Sequence, residues 1–226
     1  MIDMDCVTIV SGGMDSVTLL HKLVNDGLSP IVLHFQYGQR HSRESACAVY
    51  NATLLNCPFV TIDISPTFAP IASIANSALI NSKVAVPDWR DVDGDSQPVT
   101  YVPNRNAILL NVAASYAEAI GVNTVYYGAQ AQDLYGYWDC TPDFVDCLND
   151  MLALNRKHEV EIVAPFINMK KADILRLGVE LGVDYANTWT CYNGGDSPCN
   201  TCPTCMERIN AFSEVGIPDP LLQLEK

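Results

Sequence analysis

Residues 11–16 read Ser-Gly-Gly-Met-Asp-Ser and follow directly on the apolar, β-branched run of residues 6–10. Two successive glycines let a backbone turn sharply and approach a ligand closely. The amides that follow would open a helix, where the dipole favours an anion. Ser11 and Ser16 add hydroxyl donors, so Ser11, Gly12, Gly13, Met14, Asp15 and Ser16 together suit a phosphate or pyrophosphate. No Gly-Lys-Ser/Thr follows at Walker A spacing, and the string is not GxGxxG. A second constellation lies near the C-terminus, where Cys191, Cys199, Cys202 and Cys205 are spaced C-x7-C-x2-C-x2-C. Four thiolates close a tetrahedral zinc site with no open position, which makes such a site structural. Iron–sulfur ligation is the chemical rival, since C-x2-C-x2-C also occurs in cluster proteins. The total of nine cysteines is odd and excludes a fully paired disulfide framework.

Other polar candidates sit where strands are expected to end. Tyr37-Gly38-Gln39-Arg40-His41 follows the second strand-like run. Arg40 could clamp a carboxylate or phosphate with its planar fork, although position alone favours a solvated loop arginine. Val102-Pro103-Asn104-Arg105-Asn106 opens a helical pattern. Asn104 suits an N-cap, and Arg105 in the first turn opposes the helix dipole, a hint of a ligand. The stretch after the fourth strand carries Asp133 and Asp139, which could hold Mg²⁺ on a triphosphate. With 26 acidic residues in the chain, a bland solvated aspartate is common. Lys170 and Lys171 follow the fifth strand; one could neutralise a phosphate as a point charge, or both could solvate a helix start.

The elements that must position these groups alternate. Strand-like runs at residues 6–10, 31–35, 59–64, 124–127 and 160–164 are separated by helical patterns at 17–24, 42–55, 106–120 and 142–155, with further helices at 171–181 and near 207–215. Strands divided by helices imply right-handed βαβ crossovers and a parallel sheet. Residues 66–102, with prolines 66, 70, 87 and 98, break the rhythm and read as an insertion or lid. The chain has 226 residues, 49% hydrophobic and 17% charged, enough to bury a core without disulfides. Its net charge of −13 repels phosphate backbones and anionic lipid at long range. Residues 1–10 are short and carry Asp3 and Asp5 where a signal peptide would be basic. No apolar run reaches 18 residues, so the expectation is a soluble cytoplasmic protein with no membrane and no direct nucleic-acid partner.

The glycine loop resembles the pyrophosphate-binding loop of the ATP-pyrophosphatase (PP-loop) superfamily, whose members cleave ATP between the α and β phosphates. Beyond it, an ordered set of strings resembles the 7-cyano-7-deazaguanine (preQ0) synthase family of queuosine biosynthesis. They are residues 11–16, 37–41 and 102–106, then Asp133 with Tyr137-Trp138-Asp139-Cys140, Lys171-Ala172-Asp173, and the segment from Thr190 to Arg208. The resemblance implies an α/β, adenine-nucleotide α-hydrolase-like (Rossmann-like) fold: a parallel sheet with helices on both faces and a small C-terminal zinc-binding segment. It implies a PP-loop domain over residues 1–185 and a zinc segment over 186–226. It implies an ATP-dependent ligase that turns 7-carboxy-7-deazaguanine and ammonia into the nitrile by two adenylations through an amide. On the matching positions, Ser11 to Ser16 would hold the ATP phosphates, and Asp15, Lys171 and Arg105 would be catalytic. Gln39, Arg40, Arg105, Asn106, Asp133 and Asp139 would line the substrate site. Cys191, Cys199, Cys202 and Cys205 would bind one structural Zn²⁺, ATP would arrive with Mg²⁺, and the protein would be a homodimer acting on small molecules.

This chain departs from the family pattern at four places: Trp138 stands for the usual proline, Thr141 for arginine, Asn104 for glycine and Val17 for threonine. If the missing arginine touches substrate, specificity or turnover differs. Two rival readings use the same residues. One is a PP-loop tRNA-modifying thiolase, which needs a basic surface that the charge of −13 denies. The other is a non-catalytic zinc-binding module, which leaves the glycine loop without a purpose.

Overall fold

The structure is a computed structural model that describes residues 4–39, 43–92 and 97–222. Five strands, β1 (Cys6–Ile9), β2 (Pro30–Gln36), β3 (Phe59–Asp63), β4 (Thr124–Tyr126) and β5 (Glu161–Val163), form one sheet of order β3-β2-β1-β4-β5. Every pairing is parallel, with Val7 opposite both Ile31 and Val125. Such a sheet must be covered on both faces, which is why β1 and β2 are apolar at almost every residue. The helices are α1 (Met14–Asn25), α2 (Arg43–Leu54), α3 (Ser65–Ala72), α4 (Arg105–Ile120), α5 (Pro142–Leu152), α6 (Lys171–Glu180) and α7 (Pro203–Val215). On one face Val17 and Leu20 of α1, Ala48 of α2, Leu175 of α6 and Phe212 of α7 bury Val32. On the other, Leu110 and Ala113 of α4 and Leu148 of α5 cover Val7, Leu33, Val125 and Ile162. The fold class read from the sequence is the one observed.

The chain order matters more than the layers. Running outward from β1, the connections go one way to β2 and β3 and the other way to β4 and β5. The crossovers therefore diverge between β1 and β4, and the crevice beyond the carboxyl ends of those strands is where open α/β sheets bind ligands.

Three local features differ from the sequence expectation. The stretch 66–102 carries its own structure: α3, a 3-10 turn at Trp89–Asp91, and a satellite core of Phe68, Leu79, Ile80 and Val102. Pro66 sits in the first turn of α3, where no amide partner is needed, while Pro70 lies inside this short helix and costs it one backbone hydrogen bond. The last helix starts at Pro203 rather than near 207, because a first turn tolerates proline there too. Asn104 occupies the N-cap position of α4 without a side-chain capping bond; its backbone is left-handed, at φ 53°. Asparagine is the ordinary substitute for glycine in that region, which accounts for the chain's departure from glycine there.

Behind the sheet, Arg208 and Asp219 form a buried bidentate pair, Nε to Oδ2 2.7 Å and Nη2 to Oδ1 2.9 Å. Arg208 Nη2 also donates to Tyr185 O at 2.9 Å and Nη1 to Thr188 Oγ1 at 2.8 Å, so one guanidinium ties three stretches of the C-terminal segment together.

Candidate active site

The loop between β1 and α1 is built to leave amides open. Gly12 has φ +100°, and a Cβ there would lie 2.0 Å from the carbonyl oxygen of Glu44, so the first turn of α2 abuts the loop. Ser11 Oγ accepts from Gly13 N at 3.1 Å and lies 3.1 Å from Ser16 Oγ, while Ser16 Oγ donates to Gly13 O at 3.1 Å. No side chain caps α1. Its first amides are thus available to an anion, with the dipole behind them. Met14 is buried in the core and anchors the turn from below.

A cavity of about 290 Å³ opens over this loop, at the divergence of β1 and β4. Lys171, the first residue of α6, reaches into it from the end of β5 and is only 6% exposed. Its Nζ lies 2.9 Å from Glu207 Oε2 and 3.4 Å from Asp15 Oδ2. Its backbone amide donates to Gln132 Oε1 at 2.8 Å. Burial works against the ammonium, but Asp15, Glu207 and Asp133 more than offset it and hold its pKa above the ordinary lysine value. Burial also pushes the carboxyls up: Asp15 rises despite Lys171, and Asp133 is raised to about 6. Asp133 accepts from the Gln130 amide at 3.1 Å and shapes the turn after β4.

Across the cavity, Arg105 donates to Tyr37 Oη at 3.4 Å and to Asn106 Oδ1 at 3.2 Å, and its guanidinium lies 5.7 Å from the Tyr37 ring centre. Among the described residues no carboxylate lies within ion-pair distance of it. A cavity-lining cation without a counter-charge is arranged for an anion from outside.

The remaining sequence candidates divide. Gln39 and Asn106 line the cavity. Gln39 spends its amide on its own turn, accepting from Tyr37 N at 2.8 Å and donating to Phe35 O at 3.2 Å. Asp139 is not on the cavity wall; it is 2% exposed and accepts from the Asn106 amide at 3.0 Å, steadying the first turn of α4. Arg40 and His41 lie outside the described residues. Trp138 and Thr141 also stand off the wall. Trp138 donates to Tyr101 Oη at 2.9 Å, and Thr141 Oγ1 caps α5 by accepting from Phe144 N at 3.1 Å.

The cysteines converge. The sulfurs of Cys191, Cys199, Cys202 and Cys205 all lie within 4.8 Å of one another, and those of Cys199 and Cys205 are 3.9 Å apart. A tetrahedral M–S₄ centre with bonds of about 2.3 Å has sulfur–sulfur edges of about 3.8 Å, so the four thiols fit a metal. Backbone amides of Cys199 and Cys202 each donate to the preceding cysteine's sulfur at 3.3 Å, as thiolate ligands require. This segment forms one wall of the cavity. Trp189 N donates to Gly12 O at 3.0 Å, and Thr190, Tyr192, Thr204 and Glu207 face inward.

Glu44, Glu207 and Trp189 line the cavity without having been singled out in the sequence; Tyr37 was named only as the first residue of the 37–41 string, and Glu207 fell inside the segment from Thr190 to Arg208.

The family model described as "Queuosine biosynthesis protein QueC" matches residues 5–216. The chain belongs to the QueC family. Among curated QueC-like relatives, the "7-cyano-7-deazaguanine synthase" of Caldicellulosiruptor bescii is 42% identical over 222 residues, covering 96% of each chain. That of Psychromonas ingrahamii is 43% identical over 215 residues, 95% of this chain and 96% of the relative. Among solved structures, NMN synthetase from Francisella tularensis superposes with a TM-score of 0.54 at 17% identity, covering all of this chain and 79% of that one. The "U34-tRNA thiolase NcsA" of Methanococcus maripaludis gives 0.51 at 13%, covering 94% and 68%. At such identities these two bear on the fold alone. Among the described residues no helix of this QueC member is long and apolar enough to cross a membrane.

Proposed function

We propose that the chain is an ATP-dependent ligase that converts 7-carboxy-7-deazaguanine and ammonia into 7-cyano-7-deazaguanine. The observation that carries this reading is one cavity with an anion-ready loop and Lys171 on one side and the unneutralised Arg105 on the other. That is the layout needed to bring the α-phosphate of ATP to a carboxylate. Family membership and relatives bearing the synthase name support the same substrate pair.

A carboxylate is a poor electrophile, because its leaving group would be an oxide; adenylation makes AMP the leaving group. Ser11 to Ser16 present amides and hydroxyls to the phosphates. Lys171 supplies a point charge to the departing pyrophosphate, which stabilises charge as it develops. Asp15 orients that lysine. Arg105 holds the substrate carboxylate, and Gln39, Asn106 and Asp133 belong to the substrate wall. Asp139 acts through Asn106 by fixing the start of α4. A second adenylation, on the amide oxygen, then allows loss of AMP to the nitrile. Asp133 would be available to hold Mg²⁺ brought in on ATP, where the ion would neutralise phosphate charge. The four cysteines hold one Zn²⁺, which keeps residues 186–226 as a wall on the PP-loop domain of residues 1–185, with 66–102 as an inserted cover. The protein works in the cytoplasm as a homodimer.

Mass spectrometry of purified protein with ATP, Mg²⁺, ammonium and 7-carboxy-7-deazaguanine tests this. Nitrile with two AMP per turnover is expected. No adenylation of the acid by folded, metal-loaded protein overturns it.

A further inference from the structure

Four carboxylates line the cavity: Asp15, Glu44, Asp133 and Glu207. Three are committed. Asp15 and Glu207 are ion-paired to Lys171, and Asp133 accepts from Gln130. Glu44, in the first turn of α2, has neither an ion pair nor a side-chain hydrogen bond among the described residues. Its place is telling. Its backbone carbonyl packs against Gly12 of the phosphate loop, and its carboxylate lies in the field of Arg105 and Tyr37 on the opposite side. Glu44 thus stands between the loop where AMP is held and the arginine where the acid is held. That is where the carbon attacked by nitrogen must lie.

The ligase reading, on which this inference rests, leaves a chemical need that Lys171 and Arg105 do not meet. At neutral pH ammonia arrives almost entirely as ammonium, a cation with no lone pair. It must bind in a site that carries cations of its own, and then lose a proton to become a nucleophile. Nitrogen must shed protons again later. The amide attacks ATP through oxygen, expelling pyrophosphate and giving an O-adenylated imidate with two N–H bonds. Loss of one proton and then of AMP, with the second N–H bond feeding the new C≡N bond, gives the nitrile. Each departing proton needs an acceptor beside the carbonyl carbon.

We propose that Glu44 is the ammonium-binding residue and the base that takes these protons. A carboxylate with no ion pair among the described residues attracts the cation, and its position beside both anchor points puts it within reach of the nitrogen. Desolvation raises its pKa against the pull of Arg105, to about 7, where a carboxylate is basic enough to accept a proton yet still largely ionised in mildly alkaline solution. The tyrosines facing the same space, Tyr37, Tyr137 and Tyr192, are all pushed upward by burial and remain protonated there.

The test separates adenylation from nitrogen chemistry in the full-length, metal-loaded protein. Pyrophosphate–ATP exchange driven by 7-carboxy-7-deazaguanine reports the first activation; amide and nitrile report the rest. In Glu44→Gln, exchange should stay within about threefold of wild type, while ammonium-dependent products fall by about 10²–10⁴. Hydroxylamine, a nucleophile already uncharged at neutral pH, should restore acyl transfer in this variant as the hydroxamate. Glu44→Asp should recover part of the ammonium reaction. Nitrile formation at the wild-type rate in Glu44→Gln overturns the proposal. So does a parallel fall of exchange and products in both variants, or a failure of hydroxylamine to rescue a variant that still exchanges. Absence of exchange in the wild-type protein is a different result: it overturns the ligase reading and this role together.

Discussion

Arg105 is a cation set among hydroxyls and a ring face, with no ion-paired carboxylate among the described residues. Arg105→Met should therefore raise the KM for the acid substrate by about 10- to 150-fold, the worth of about 1.5–3 kcal/mol for a charged hydrogen bond. The KM for ATP should stay near wild type, which steady-state kinetics with each substrate varied will check. Asp133 makes the opposite kind of prediction. Its pKa is raised from 3.8 to about 6, burial outweighing Lys171. The stability this group contributes is whole below its ordinary value and is lost as pH rises through about 6. Asp133→Asn, neutral at every pH and still able to accept from Gln130, should match wild type in Tm near pH 4. Above pH 6 it should melt about 2–4 °C higher if about 1 kcal/mol of the cost is relieved. A Tm difference independent of pH would refute this. At this scale the sequence was readable where a residue sat inside a local string. Asp15 in its loop and Lys171 after its strand fall in the cavity. Asp139 shared a string with Asp133 yet caps a helix instead, because local spacing says nothing of which wall a side chain meets. Glu44 was invisible because only the packing of α2 on Gly12 gives it a place.

The elements were legible wherever period and punctuation agreed. β1, β2, α1 and α4 arise from apolar runs closed by glycine. The stretch 66–102 was read as irregular because four prolines mask its helix; Pro66 falls in the tolerant first turn of α3, but Pro70 sits inside it, where sequence rules argue against a helix. Two departures from the family pattern find their reasons at this scale. Thr141 replaces an arginine and caps α5, so Thr141→Ala should cost about 1 kcal/mol in chemical denaturation. Asn104 replaces a glycine at φ 53°. Asn104→Gly should be close to neutral or slightly stabilising, whereas Asn104→Ala, which keeps the β-carbon but loses the short polar side chain that eases the left-handed region, should lose up to about 1 kcal/mol. Equal stability of the two variants would show that the local backbone relaxes.

For the whole molecule, the parallel sheet and the four-cysteine cluster were both readable from spacing, but their union was not. The cysteine segment touches the phosphate loop through Trp189 and reaches Lys171 through Glu207. Cys202→Ser should therefore lose metal, lower Tm and abolish ATP turnover at once, as calorimetry, metal analysis and exchange assays will record; structural metal binding is itself folding free energy. Removing zinc with full turnover retained would contradict it. The hydrogen bond from Trp189 to Gly12 also has a consequence in time. The glycine loop leaves the ribosome long before Trp189, the partner that closes over it. The central strand waits likewise, since Val7 pairs with Val125, more than a hundred residues later. A nascent chain can therefore assemble β1 to β3 early, but the cavity lacks its last wall until the cysteine segment emerges. If the four cysteines must hold metal for that segment to fold, the number of working copies in a metal-starved cell would be set after translation, by ion supply.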